Sequence, residues 1–335
     1  LKIVQALNRQ VPNSLIAKKG LAEVQLAGGD KDLARSTLED ATRLAGVNPQ
    51  QLVAVARLQV KAGAFEEAER NLLRALKERP QSSAAGLGLA DLMARQGRFP
   101  QAAAEVMGVL EYEPDNVTAI ALLADIKSAQ GRYEEAGGLY RRALSLSNRP
   151  ELVVSLHRAQ VKAGRVDKAL AELRAWHDAH PGQGPVMRAL AGHLQQTGKT
   201  AAARQLYTEL AALEPQNAEV HNNLANLLLP VDAELALATA MRAYELEPQS
   251  AAVLDTLGWM LVQVGELDRG LSYLRDALVR NSRVPTIRYH LAVALEEYGN
   301  KAEARQELQR ALAMKMPFPE RDEATRRLML LQSGR

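Results

Sequence analysis

The residues of this chain that could do chemistry are few and scattered. Six histidines stand at 157, 177, 180, 193, 221 and 290. Only His177-x-x-His180 has the spacing that puts two metal ligands on one helix face. No third ligand accompanies them beyond Asp178, which points elsewhere on a helix. Two solvent-facing histidines near a helix end is therefore the better reading, and no metal site is expected. Carboxylate pairs occur at Glu66-Glu67, Glu134-Glu135 and Glu296-Glu297. The first two fall early in helices, where the positive helix end favours them, so they need no acid–base role. There is no cysteine, which excludes a thiol nucleophile, thiolate metal ligands and disulfides. The glycines are read as turn residues, not as a loop that could cradle a phosphate. These residues predict neither a catalytic centre nor a cofactor.

What must be explained instead is a periodicity. Ser83–Asn116 reads as an Ala/Leu-rich helical pattern, a turn at Gly97, a second helical pattern and an exit at Pro114. The same landmarks recur along the chain. Turn glycines fall at Gly29, Gly63, Gly97, Gly131, Gly164, Gly198, Gly265 and Gly299, at intervals of 34, 34, 34, 33, 34, 67 and 34. The 67-residue gap holds one repeat whose turn is Leu229-Pro230-Val231-Asp232, where Pro and Asp replace the glycine. In step with them run Pro49, Pro80, Pro114, Pro150, Pro181, Pro215, Pro248, Pro285 and Pro317, which stop one helix and tolerate the start of the next.

This divides the chain into nine repeats at about 15–48, 49–82, 83–116, 117–149, 150–183, 184–216, 217–250, 251–284 and 285–316. Residues 1–14 read as the second helix of a truncated upstream repeat, and 317–335 as a C-terminal capping helix and tail. A unit of this kind leaves an apolar face uncovered until a neighbour stacks on it. The expected fold is all-α, an extended stack of antiparallel helix pairs with around twenty helices and no strand. Trp176 replaces the small residue of other repeats (Ala75, Ala143, Ala243, Ala277, Ala311), just before the breaker-rich run His180–Pro185. It is read as filling a gap at a looser junction, with a hinge or partner insertion point as the functional alternative.

Composition agrees. Of 335 residues, 47% are hydrophobic but only 4% aromatic, so Ala, Leu and Val supply the apolar surface. Such side chains suit close helix packing. The 42 basic and 39 acidic residues nearly balance, and no basic run with interleaved aromatics suggests nucleic acid. No apolar run approaches the length of a membrane span.

These landmarks resemble the tetratricopeptide-repeat (TPR) superfamily over residues 15–316. In the repeat from Val117, the series Ile120, Leu123, Ala124, Gly131, Tyr133, Ala136, Tyr140 and Ala143 is similar to the family pattern almost throughout. That resemblance implies a right-handed superhelical solenoid. More narrowly, residues 222–229, 243–278 and 287–308 resemble the C-terminal part of the TPR-repeat lipoproteins of PEP-CTERM/exosortase systems. Those are encoded beside exopolysaccharide loci of Gram-negative bacteria. This resemblance implies a periplasmic or outer-membrane location with a lipid anchor upstream of residue 1; a cytoplasmic protein is the alternative.

In TPR arrays the first helices line the inner, concave groove, with positions five and nine of each repeat facing it. Those positions are mixed and mostly small in the early repeats. From Arg188 onward they become hydrogen-bonding and aromatic: Arg188, Asn222, Asn226, Asp255, Trp259 and Tyr289. These six are the expected partner-binding residues, with asparagine amides addressing a peptide backbone and the aromatics supplying contact area. The Lys-x3-Asn clamp by which some TPR domains hold a carboxylate terminus has no match. The leading reading is thus a non-enzymatic scaffold for peptides or protein partners, in envelope exopolysaccharide or protein-sorting machinery. The alternatives are the specificity or regulatory arm of a larger enzyme, and a homo-oligomer whose groove is filled by another copy.

Overall fold

The computed structural model describes residues 11 and 13–333, so most of the expected helix at 1–14 lies outside the described residues. Among the described residues there are nineteen helices and no strand. Sixteen of them pack as eight consecutive pairs, Pro150–Lys162 and Val166–Ala179 follow one another between these, and Arg321–Ser333 stands last. The chain divides into two compact units, residues 1–172 and 173–335, with the division inside helix Val166–Ala179.

The turns explain the pairing. Each of the eight predicted turn glycines has a positive φ, between 74° and 91°. Only a residue without Cβ enters that region without strain, so each glycine ends one helix and reverses the chain within a few residues. At the repeat lacking a turn glycine, Asp232 caps the second helix, accepting a hydrogen bond from the Leu235 amide at 2.9 Å. Pro49, Pro150 and Pro285 occupy the first turn of their helices, where a missing N–H costs nothing.

In the first unit, a continuous core runs from Ala22 to Ile126, with small alanines (Ala34, Ala56, Ala75, Ala90) between leucines and valines. A second cluster joins Ile120, Ala136, Tyr140, Ala143 and Leu156. In the second unit, the helices Ala251–Gln263 and Leu267–Arg280 cross most closely at Gly258 and Gly270. A Cβ on Gly270 would lie 2.9 Å from the Gly258 carbonyl oxygen, and one on Gly258 3.0 Å from that of Gly270. Glycines are therefore not confined to turns, as the sequence suggested: these two are mid-helix and let backbones touch. The crossing fixes the helix that carries Asp255 and Trp259.

Arg321–Ser333 packs on the last pair through Ala324, Leu328 and Leu331. Arg327 joins it to Glu296 at 2.8 Å, and Arg321 donates to the Leu312 carbonyl at 3.0 Å. It covers the apolar face that a further repeat would otherwise bury.

Candidate functional site

All six predicted residues lie in the second unit, on the first helices of successive pairs. Helix Ala218–Leu228 is capped by the Asn217 side chain, which accepts from the Val220 amide at 3.3 Å. Its residues Glu219, Asn222 and Asn226 share one face, being spaced by three and four. Asn226 is exposed, and its amide N–H groups donate to the Asn222 carbonyl at 3.1 Å and the Thr256 hydroxyl at 3.3 Å. A carbonyl can only accept, so the amide orientation is fixed and Oδ1 of Asn226 remains free to accept. Asn222 keeps its Oδ1 shielded from solvent with no hydrogen-bond partner. An unmade bond of that kind costs about 1–3 kcal/mol.

One repeat further on, Asp255 is buried and accepts from His290 Nδ1 at 3.0 and 3.1 Å. A carboxylate facing Nδ1 fixes the imidazole tautomer and leaves Nε2 as the ring's other polar atom. Trp259, half-buried, stacks on the same imidazole with ring centres 4.4 Å apart and planes at 12°. Its indole also packs against two core clusters of the last pair, including Leu291, Leu308 and Phe318. Trp259 is thus both a packing residue and a partly open surface.

The structure links Asn226 to Thr256 on the next first helix, and separately links Asp255 and Trp259 to His290 on the one after. It does not add Tyr289 to that surface. Tyr289 is 7% exposed, packed with Ala292, Leu308, Phe318 and Ala324 beneath the terminal helix. Burial pushes its phenol above the usual range, with Arg327 pulling the other way. The terminal helix occupies the side on which position five would have faced a groove. Arg188 stands at the edge and is held by Glu214, the residue that ends helix Thr200–Leu213. Its charge is neutralised within the fold.

Sequence reasoning missed His290 and Thr256, which sit one position beyond the expected ones and tie adjacent repeats together. It also missed two tyrosine struts. In the first unit, Tyr140 is buried and donates its hydroxyl to Asp125 at 2.5 Å. In the second, Asn223 donates to the Tyr207 hydroxyl at 3.3 Å. Burial raises the Tyr207 phenol, and the Glu219 carboxylate adds to the shift. The signal was present: the column Leu72, Val106, Tyr140, Leu173, Tyr207, Leu274, Leu308 is apolar except at these two positions. A hydroxyl in an apolar column needs a partner.

His177 and His180 are not both solvent-facing as expected. His180 stacks on Trp176 at 4.2 Å, and His177 Nδ1 and Trp176 Nε1 are shielded without partners. The wide aromatic ring in place of alanine draws the histidine onto itself. Among the described residues no group of three or more His, Asp or Glu could hold a metal ion, and no helix is long and apolar enough to cross a membrane. Two clefts, of about 420 and 340 Å³, lie beside inter-helix turns near Arg35 and Phe65 and near Arg275 and Tyr298, and neither is lined by Asn222 or Asn226.

Helix pairs repeating at this period define an α-helical repeat protein. Within that class the chain belongs to the tetratricopeptide-repeat family, whose models match residues 59–126, 127–194 and 256–317, more than half of it. Its fold is similar to that of a tetratricopeptide repeat protein from Parabacteroides merdae, at 16% identity over 74% of this chain and 98% of that one, with a TM-score of 0.52. It is also similar to human IFIT1, in a dimer with m7Gppp-AAAA, at 16% identity over 98% of this chain and 85% of that one, with a TM-score of 0.56. A third similar structure is the Cut9–Hcn1 hetero-tetramer of APC/C, at 13% identity over 94% and 63%, with a TM-score of 0.57. At these identities the likeness shows the fold alone. No curated protein matches the sequence.

Proposed function

We propose that this protein is a non-enzymatic scaffold that holds a peptide segment of a partner protein on the first-helix face of its second unit. The observation that carries the reading is the row Asn226, Thr256, Trp259 and His290, in which each first helix contacts the next by side chains. Such a row offers polar atoms and a partly open indole on a rigid support, and rigid aromatic and amide groups are what peptide recognition uses. Asn222 and Asn226 address the backbone of the bound segment, and Trp259 supplies contact area. Selecting peptides from a displayed random library on the immobilised protein tests this. The enriched peptides should lose affinity for Asn226→Ala and keep it for Arg269→Ala, which changes an exposed second-helix residue. Equal binding to both variants would contradict the reading.

The pathway follows from the narrower resemblance of residues 222–229, 243–278 and 287–308 to PEP-CTERM-system lipoproteins. It supports a scaffold in exopolysaccharide or protein-sorting machinery, facing the periplasm and anchored by lipid upstream of residue 1. Fractionation of the native cell after palmitate labelling checks this. Labelled protein in the envelope fraction is the expected result, and unlabelled protein in the cytoplasm would overturn it.

A further inference from the structure

We infer that the partner segment brings hydrogen-bond donors and positive charge, a lysine- or arginine-bearing stretch and not a carboxylate terminus. This deepens the proposed peptide-binding reading and rests on it. Asn226 is exposed and uses its amide N–H groups on the Asn222 carbonyl and on Thr256, which leaves its Oδ1 uncommitted. The Asn226 amide oxygen is therefore an acceptor, and a ligand meeting it must donate.

Charge points the same way. Glu219 lies one turn before Asn222 on the same helix face, is exposed, and makes no ion pair among the described residues. Arg188, the cation at the edge of the patch, is tied to Glu214. Arg288, beside His290 in sequence, is turned inward onto the buried Glu307 at 2.5 Å. Arg327 is held by Glu296 and Glu323. The patch thus carries one unpaired carboxylate and no unpaired cation among the described residues. A lysine ammonium, with three donors and no acceptor, satisfies it; a carboxylate, with acceptors only, does not.

The test uses the intact protein and two probes, end-blocked tetralysine and end-blocked tetraglutamate. Nuclear magnetic resonance follows the side-chain amides of Asn222 and Asn226 and the indole N–H of Trp259 during titration. The chain's formal net charge of +3 draws the acidic peptide non-specifically, so the comparison is weighted against the inference. Tetralysine should shift these three signals, tetraglutamate should not, and Glu219→Gln and Asn226→Leu should each weaken tetralysine binding about tenfold. Both substitutions are at exposed positions, so folding is retained. If tetraglutamate shifts the same signals at equal or lower concentration, the donor assignment is overturned and the peptide-binding face stands. If neither peptide shifts them at millimolar concentration, both are overturned.

Discussion

The indole of Trp259 and the imidazole of His290 lie face to face across the boundary between two repeats, 4.4 Å between ring centres. Asp255, one helical turn before Trp259, holds the same imidazole by hydrogen bonds. One histidine therefore joins a buried carboxylate and a partly open aromatic ring, and the surface proposed to bind is built into the joint that carries load.

That coupling gives the first prediction. Trp259→Ala removes packing against two clusters and should destabilise by about 2–4 kcal/mol, towards the lower end of aromatic-to-alanine losses because the ring is only half-buried. Asn226→Ala breaks one interrepeat hydrogen bond at an exposed site and should cost about 1 kcal/mol or less. Urea unfolding of both variants checks this. An unchanged midpoint for Trp259→Ala would mean that the ring contributes nothing to the joint.

Alkaline pH supplies the second. Burial, then the bond to Asp125, pushes the Tyr140 phenol well above its ordinary value. Below about pH 10 the folded and unfolded chains both keep this proton, and the hydroxyl's contribution is intact. Above it the unfolded chain loses the proton while the folded chain retains it, so stability falls as pH rises. The wild type should therefore lose stability above about pH 10 more steeply than Tyr140→Phe. Parallel curves for the two proteins would show that this hydroxyl is not held as described.

A third prediction concerns helix crossings. Ala136, Ala143, Ala169 and Ala277 are each 0% exposed, so enlarging any one to leucine should destabilise by about 1–3 kcal/mol through overpacking. Gly270→Ala should also destabilise, because its Cβ would meet the Gly258 carbonyl and the Val262 backbone, which cannot rotate away. Thermal unfolding of these five variants would detect the loss. A neutral result at all five would place the crossings elsewhere.

Much of this architecture was legible because the punctuation is chemical. A turn that requires positive φ selects glycine, and the eight glycines that mark the period all adopt it. What stayed hidden depends on neighbours. Tyr289 packs in one cluster with Ala324 of the terminal helix, a neighbour that the repeat period does not reveal. His290 and Thr256 acquire meaning only when the adjacent first helix is placed beside them. Gly258 and Gly270 are indistinguishable in sequence from other mid-helix glycines; their role appears when two backbones meet.

The central claim is that a partner segment lies across the first helices of the second unit. Hydrogen–deuterium exchange with and without a library-selected peptide tests it most directly. The account predicts slowed exchange in Ala218–Leu228 and Ala251–Gln263, with little change in the second helices Ala233–Leu246 and Leu267–Arg280. Protection confined to those second helices, or none in the second unit while the peptide is bound, would contradict it.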